Sequence, residues 1–421
     1  MQQTGNINQL VDHLFRHESG KMVSVLSRLL GFQNLETAHD IVQDTLLQAM
    51  NSWSYNYIPD NPVAWLHRVA KNKAIDFLRR EKKFREISPA YTYLLQSEYS
   101  LSPTVNNLFL ENEISDSQLR MMFACCHPSI PVESQIALTL KTLCGLSVAE
   151  IARAFLTNEE TISKRIYRAK EKIKAEKIEL EVPSHDELQH RLDAVLKSLY
   201  LLFNEGYNSS QPDQLIREDC CEEAMRLCHI ITRHSLTSYP RTKALLSLMC
   251  FQSSRLNARL DDTGNIILLK GQDRSKWHLP LIQKGFDYLD AAAEPFEIST
   301  YHFEAAIASL HAAAPHFEKT DWPSIYHLYE MLYELQPNPV VAMNKAIASA
   351  YAINRSEGLD QLLKIKGLEN YYLYHTSVGE IYYELAEKKK AQRSFETALQ
   401  LTTSQQERQL LQQKIRSCEP V

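Results

Sequence analysis

The stretch NPVAWLHRVAKNKAIDFLRREKKFR, residues 61–85, predicts a helix with two unlike faces. Asn61 can cap this helix, and Pro62 suits its first position. Apolar residues then recur at steps of three and four, which is the period of one buried helix face. These residues are Val63, Leu66, Ala70, Ala74 and Phe77.

The polar side of this helix concentrates positive charge. The stretch holds eight Lys or Arg residues and two acidic ones, whereas the whole chain has a net charge of -5. Clustered cations repel one another unless a polyanion faces them, which indicates nucleic acid as a partner. A solvated basic helix without such a partner is the other interpretation. The side chains concerned are Arg68, Lys71, Asn72, Arg79 and Arg80.

Composition predicts an all-α protein of several domains. A chain of 421 residues is too long for one ordinary core, so roughly two to four domains are expected. Its 44% hydrophobic and 23% charged residues are typical of a soluble globular protein. Glycine is scarce, with 11 residues. The sequence is rich in Leu, Ala, Glu, Lys and Gln, which favours helices nearly throughout.

Targeting and metal signals are weak. The start, MQQTGNINQL, has no basic region followed by an apolar one, and no window approaches the roughly 18 apolar residues of a membrane span. We therefore expect a cytoplasmic protein without membrane contact. The eight cysteines include no CxxC pair, and Cys125, Cys126 and His127 favour buried small residues over half a zinc site. No metal or cofactor is expected.

The segments before the basic helix offer a second kind of surface. Residues 35–53 have a helical period, with an acidic and partly apolar outer side made of Asp40, Gln43, Asp44 and Leu47. The loop at 54–61 then places Tyr55 and Tyr57 beside the basic helix. Aromatic rings beside cations can stack on unpaired bases, although loop tyrosines also pack on neighbouring helices.

A pair of helices is predicted within residues 146–174, LSVAEIARAFLTNEETISKRIYRAKEKIK. Ser147 with Glu150, and Thr157 with Glu160, would form two capping boxes ten residues apart. Such a pair is a helix-turn-helix, although helical hairpins also occur without DNA. The exposed side of the second helix would present polar and basic groups to a major groove. These are Thr161, Lys164, Arg165, Arg168 and Lys172.

Three motifs occur in the order and at the spacing of a known family. They are AHDIVQDTLLQAMNSW at 38–53, NPVAWLHRVAKNKAIDFLRR at 61–80 and GLSVAEIARAFLTNEETISKRIYRAKEKI at 145–173. With them, roughly the first 180 residues resemble an RNA polymerase sigma factor of the extracytoplasmic-function type. The resemblance implies a non-enzymatic protein that binds core RNA polymerase and directs it to promoter DNA. It implies no catalytic residue.

The resemblance also implies roles for the quoted segments. Residues 35–53 would dock on the clamp helices of the polymerase through Asp40, Gln43, Asp44 and Leu47. The loop and the basic helix would recognise and help to melt the −10 promoter element, and the helix at 161–172 would bind the −35 element. The implied domains are sigma domain 2 at 1–87, a linker at 88–115, sigma domain 4 at 116–180 and a helical extension at 183–421.

The extension carries a repeat of helical hairpins from about residue 322. Tyr329, Leu362 and Phe395 stand 33 residues apart. The best copy has Gly379, Tyr382, Ala391 and Phe395 at positions typical of a tetratricopeptide unit. Such stacked hairpins offer a broad concave face to a peptide or another domain.

Two further segments, LYLLFNEGYNSS at 199–210 and QDRSKWHLPLIQKG at 272–285, resemble the long helical extension of one branch of these sigma factors. On that branch the extension is thought to control activity. Its polar signature residues could line an effector site for a protein or a small molecule, or they could lock loops onto helices. They are Asn204, Glu205, Asp273, Arg274 and Trp277.

Two other functions are compatible with parts of the sequence. A stand-alone helix-turn-helix regulator with a tetratricopeptide sensor would bind duplex DNA without polymerase. A helical enzyme housed in the extension would need a cofactor or a perturbed pair of carboxylates. The polymerase-docking helix argues against the first alternative, because a stand-alone regulator has no use for it.

Overall fold

The chain is helical in all the segments that the computed structural model describes, which are residues 2–55, 58–80, 98–155, 157–183, 185–209, 215–294 and 297–419. Within them it forms nineteen α-helices, short 3-10 turns and no β-strand, as the all-α prediction requires. The first ten helices are α1 (Gln2–Leu30), α2 (Leu35–Tyr55), α3 (Pro62–Arg80), α4 (Glu98–Leu108), α5 (Glu111–Cys125), α6 (Val132–Thr142), α7 (Val148–Ala154), α8 (Glu159–Glu176), α9 (His185–Tyr207) and α10 (Glu218–Arg233).

The remaining nine helices belong to the second half of the chain. They are α11 (Pro240–Ser253), α12 (Leu279–Ala292), α13 (Thr300–Ala313), α14 (Trp322–Leu335), α15 (Pro339–Ala352), α16 (Arg355–Leu363), α17 (Tyr372–Glu384), α18 (Lys388–Leu401) and α19 (Gln405–Cys418).

The helices group into two units. The first comprises Met1–Glu205 with Glu218–Thr237, and the second comprises Gly206–Arg217 with Ser238–Val421. Most of α9 and all of α10 therefore belong with the helices of the predicted sigma domains. The division of the chain into 1–87, 88–115, 116–180 and 183–421 stays a prediction.

Helix α3 forms as its sequence predicts. The side chain of Asn61 accepts a hydrogen bond from the amide of Ala64 at 2.9 Å, and Pro62 is the first helical residue. Leu66, Ala70 and Ala74 are fully buried. The prediction of Phe77 on this face is wrong in one respect: Leu78 is fully buried and Phe77 only half-buried, because the buried stripe continues in steps of four.

The predicted helix-turn-helix is α7 followed by α8. Ser147 and Glu150 form the predicted capping box. The second box is wrong, because Asn158 caps α8 and its Oδ1 accepts the amide of Thr161 at 2.8 Å. Helix α8 buries one stripe, as predicted, which consists of Ile162, Ile166, Ala169 and Ile173.

The described part of the predicted linker is helical. Helix α4 and the start of α5 occupy residues 98–115, where the sequence pattern is weak. Arg28 of α1 anchors α5 through ion pairs of 2.9 Å to both Glu113 and Asp116. The packing of these helices on α1 and α3, rather than their own amphipathic pattern, fixes them.

In the second unit, successive helices from α14 to α19 pack against their neighbours. Gly379 of α17 lies against Phe395 of α18, and a Cβ atom there would meet the ring at 2.6 Å. Ala391, Phe395 and Ala398 are fully buried. These contacts explain the glycine, small and aromatic positions of the predicted repeat.

Candidate nucleic-acid and polymerase interfaces

The basic face of α3 is accessible. Arg68, Asn72, Arg79 and Arg80 are exposed, whereas Lys71 is half-buried. Lys71 lies over the ring of Phe109, with its Nζ 5.7 Å from the ring centroid. Four of the five predicted groups can therefore reach a phosphate without any rearrangement of the helix.

The structure does not test the predicted role of the two loop tyrosines. Tyr55 ends α2, but its side chain lies outside the described residues, as does the whole of Tyr57. Sequence reasoning missed a neighbouring contact between α2 and α3. In it, Trp53 and Trp65 meet edge to face with ring centroids 5.4 Å apart. A pair of tryptophans at helical positions on either side of a loop was the available signal.

A buried polar contact orients α3 on α1. Nε2 of His67 lies 3.0 Å from Glu18, whose other oxygen accepts from Lys21 at 2.7 Å. Burial raises the pKa of Glu18, but the hydrogen bonds and charges of His67 and Lys21 outweigh it and hold the pKa below its usual range. This pair holds α3 on α1, one helical turn before Lys71.

The outer face of α2 combines carboxylates with exposed apolar groups. Asp40, Gln43 and Asp44 are exposed, and Leu47 is 56% exposed. Met50, one turn further on, is 38% exposed and was missed by sequence reasoning, although its spacing from Leu47 places it on the same face. Exposed large apolar side chains beside acidic ones indicate a docking surface.

The predicted recognition helix α8 presents its cations unequally. Lys164, Arg168 and Lys172 are exposed, whereas Thr161 and Arg165 are half-buried. Arg165 pairs with Glu133 of α6 and lies 5.9 Å from the ring of Phe155, so part of its function is to hold α8 on its neighbours.

The exposed cations of α8 can change partners easily. Lys164 pairs with Glu160 at 2.6 Å and Lys172 with Glu176 at 2.5 Å. Arg168 has no ion pair among the described residues. Exposed ion pairs within a helix contribute little to stability. A phosphate can therefore displace the glutamates with little loss of folding free energy.

Helix α8 also contacts the start of α2. Lys170 and Lys174 each lie 3.5 Å from Glu36, and Lys170 in particular lowers the pKa of that carboxyl. Burial, followed by the charges of Lys170 and Lys141, lowers the pKa of His39 from 6.5 to about 3. The neutral imidazole of His39 therefore sits between the two predicted sigma domains.

The five predicted regulatory residues fall in both units. Asn204 and Glu205 end the first segment of the first unit, and Asp273, Arg274 and Trp277 lie in the second. Asp273 accepts hydrogen bonds from the amide and hydroxyl of Ser275 at 2.9 and 2.7 Å, which lower its pKa. It thus caps a 3-10 turn.

Arg274 clamps the end of helix α13. Its Nη1 donates to the carbonyl of Ala314 at 3.0 Å and also to that of His311. Its guanidinium lies 4.4 Å from the ring centroid of Trp277. These contacts support the loop-locking interpretation of Arg274 and Trp277 over direct ligand binding.

The cysteine pair has the character of core residues. Cys125 and Cys126 are buried, and burial raises the pKa of Cys126 to about 12. A thiol held neutral in this way is a poor metal ligand. No cluster of three or more metal-binding side chains occurs among the described residues.

The comparisons with known families match the two interfaces separately. Residues 14–84 match Sigma-70 region 2, and residues 120–173 match Sigma-70 region 4. Residues 191–293 match a family of unknown function, DUF6596. No helix in the described part of the chain has the length and apolar character needed to cross a membrane.

Relatives cover both the sigma regions and the extension. An uncharacterized protein of Rhizobium meliloti (strain 1021) is 35% identical over 89% of this chain and 88% of its own. The ECF RNA polymerase sigma factor SigE of Mycolicibacterium smegmatis is 28% identical over 39% of this chain and 60% of its own. RNA polymerase sigma factor SigV of Bacillus subtilis is 26% identical over 32% of this chain and 74% of its own.

Regions 2 and 4, joined in this order on one chain, define a sigma factor that directs core RNA polymerase to promoters. The chain belongs to the extracytoplasmic-function sigma factors, and carries a long helical C-terminal extension. Core polymerase and promoter DNA are therefore its partners. The stand-alone regulator loses support, because region 2 is present.

Proposed function

We propose that the C-terminal extension of this sigma factor controls its activity in the cytoplasm, and does so through helix α10. The observation that carries this proposal is the position of α10, which belongs to the matched region of unknown function yet packs in the first unit against α1 and α5. Its buried stripe consists of Cys220, Ala224, Leu227, Cys228 and Ile231.

A polar contact joins α10 to α5, just before the start of the region 4 match. Arg226 binds both oxygens of Glu223 at 2.7 and 2.8 Å, and its Nη1 donates to Oε1 of Gln118 at 2.9 Å. A charge-assisted hydrogen bond of this kind contributes about 1.5–3 kcal/mol. A movement of α10 would therefore be transmitted to α5 and to the helices that follow it.

We further propose that the three exposed faces divide the work of initiation. The acidic and apolar face of α2 would bind core polymerase, and its side chains are Asp40, Gln43, Asp44 and Leu47. The basic face of α3 would bind the −10 element and α8 the −35 element. Melting needs no covalent chemistry, because phosphate contacts and the stacking of an unpaired base offset an unstacking cost of a few kcal/mol.

Run-off transcription with purified core polymerase tests the proposed control. Arg226→Met removes the contact with Gln118 and keeps the length of the side chain, whereas Lys197→Met changes an exposed cation of α9. We expect the first variant to change the yield of specific transcripts and the second to match the wild type. Equal transcription by all three proteins would refute control through α10.

A truncation provides an independent test. A chain ending at Thr237 keeps every segment of the first unit and lacks the second unit from Ser238 onward. If the second unit regulates transcription, this truncated chain and the full chain will differ in transcript yield at equal occupancy of core polymerase.

A further inference from the structure

A cavity of about 340 Å³ lies within the second unit. Its walls come from Tyr207 at the end of α9, from Asn208 and Leu215, from the residues between α11 and α12, and from helices α17 and α19. Half of its lining residues are leucine or isoleucine. The others are two arginines, two tyrosines and one residue each of asparagine, glutamine, threonine and glutamate. The cavity therefore has room for a small organic molecule.

The basic wall is held in place by aromatic rings. The guanidinium of Arg259 lies 3.9 Å from the ring centroid of Tyr207. That of Arg255 lies 6.0 Å from the same ring and 5.8 Å from the ring of Trp277. Stacking fixes a guanidinium without using its N–H donors, although Nη1 of Arg259 also donates to the carbonyl of Tyr207. Nε of Arg255 is buried and makes no hydrogen bond within the described part of the chain.

Gln272 adds a buried acceptor. Its side chain lines the cavity and is 8% exposed. Nε2 donates to the carbonyl of Ile267 at 3.0 Å, and Oε1 has no hydrogen-bond partner among the described residues. A buried acceptor without a donor is unfavourable, so a ligand with an N–H or O–H group would remove this defect.

Glu407, the acidic residue of the lining, already accepts hydrogen bonds within the protein. Glu407 accepts hydrogen bonds from the hydroxyls of Tyr372 and Thr402. Burial and Glu407 raise the pKa of Tyr372, so its hydroxyl remains a donor to the carboxylate. These neutral hydroxyls do not cancel the charge of Glu407, so two arginines against one carboxylate give the lining one excess positive charge.

We propose that this cavity binds a small amphipathic carboxylic acid that carries an N–H or O–H donor close to its carboxylate. The carboxylate would pair with Arg255, the donor would bind Oε1 of Gln272, and the apolar part would lie against the leucine and isoleucine walls. The inference rests on the proposed function in one respect, since such a ligand would be the effector of the extension.

Isothermal titration calorimetry on the full chain tests the chemistry directly. N-octanoylglycine serves as the probe, because it has a carboxylate, an adjacent amide N–H and an apolar chain. Its methyl ester lacks the charge, and decanoic acid lacks the N–H group. We expect each of these to bind about tenfold or more weakly than the probe, the loss typical of one charge-assisted or buried hydrogen bond.

Variants assign the two contacts to residues. Arg255→Met should weaken binding of the probe about tenfold, and Gln272→Leu should abolish its advantage over decanoic acid. Lys276→Met, an exposed cation outside the cavity, should bind like the wild type. The comparison of acid with ester uses the wild type alone, so it stands even if a variant fails to fold.

Three results would overturn the assignment: equal affinity for acid and ester, wild-type affinity in the folded Arg255 variant, or no binding of the probe at millimolar concentration. Transcription separates this failure from that of the proposed function. If truncation at Thr237 alters transcription while the probe does not bind, the cavity assignment alone is wrong. If the probe binds as expected and transcription never changes, control by the extension is wrong and the site stands.

Discussion

Acidification is expected to destabilise the first unit through His39. This residue lies at the contact between α2 and α8, and burial together with Lys170 and Lys141 lowers its pKa from 6.5 to about 3. Its Nε2 is buried without a hydrogen-bond partner in the described segments. Protonation would place a third positive charge beside two lysines, with Glu36 as the acidic group that opposes them.

The sign and size of the effect follow from proton linkage. Between pH 6.5 and 3 the unfolded chain binds a proton at His39 that the folded chain does not, so stability falls as the pH falls. At pH 5 the lost stability amounts to about 2 kcal/mol for a pKa of about 3. Above pH 7 the residue makes no pH-dependent contribution.

Hydrogen–deuterium exchange with mass spectrometry measures this loss locally. The opening free energies of α2 and α8, corrected for intrinsic exchange, should fall by about 2 kcal/mol between pH 7.5 and 5 in the wild type. His39→Gln should remove most of that fall, whereas His190→Gln, at an exposed position on α9, should keep it. The same pH dependence in wild type and His39→Gln would refute the assignment.

Four further substitutions test the interfaces and the core. Arg168→Ala should weaken promoter binding in filter-binding assays and leave the affinity for core polymerase unchanged. It should also reduce the slope of log affinity against log salt concentration by about one. Unchanged promoter occupancy would show that α8 does not bind the promoter. Asp44→Arg should lower core affinity at least about tenfold, and retained co-purification would contradict the docking face. Leu66→Ala, at a fully buried position of α3, should cost about 2–5 kcal/mol in urea unfolding, whereas Leu47→Ala should affect core binding but not stability.

The elements that the sequence predicted well are those in which local signals agree. Helix α3 has the predicted cap and N-terminal proline. Its apolar stripe is buried at Leu66, Ala70 and Ala74 as predicted, and ends at Leu78 instead of Phe77. The errors are local as well. Asn158 and Thr157 are both good capping residues, and only the backbone conformation decides that Asn158 caps α8.

Helices α4 and α5 were harder to predict because their stability comes from tertiary contacts. A proline at position 103 and many polar residues indicate a loop, yet Val105 and Leu108 are buried. Arg28 supplies two ion pairs to α5 from a helix more than eighty residues away. No window of local sequence contains that information.

Some site residues could be placed from local sequence alone, and others required the three-dimensional structure. Exposure of Lys164 and Arg168 follows from helical periodicity alone, so the sequence was sufficient to place them. The pairing of Arg165 with Glu133 joins residues 32 positions apart and required the fold. The cavity of the second unit combines segments separated by about two hundred residues, and its key signal, the unpaired Oε1 of Gln272, exists only in three dimensions.

The position of α10 bears most directly on function. An amphipathic sequence shows that a helix buries one face, but it does not show against what. Gln118 and Arg226 are 108 residues apart. Gln118 lies on α5, two residues before the region 4 match, and Arg226 lies in the matched family of unknown function. An extension tethered by a flexible linker alone could act only by occupying a surface. Because α10 packs within the first unit, a signal that shifts α10 would change the packing of α1 and α5, and with it the support of the two helices that we propose to bind the promoter.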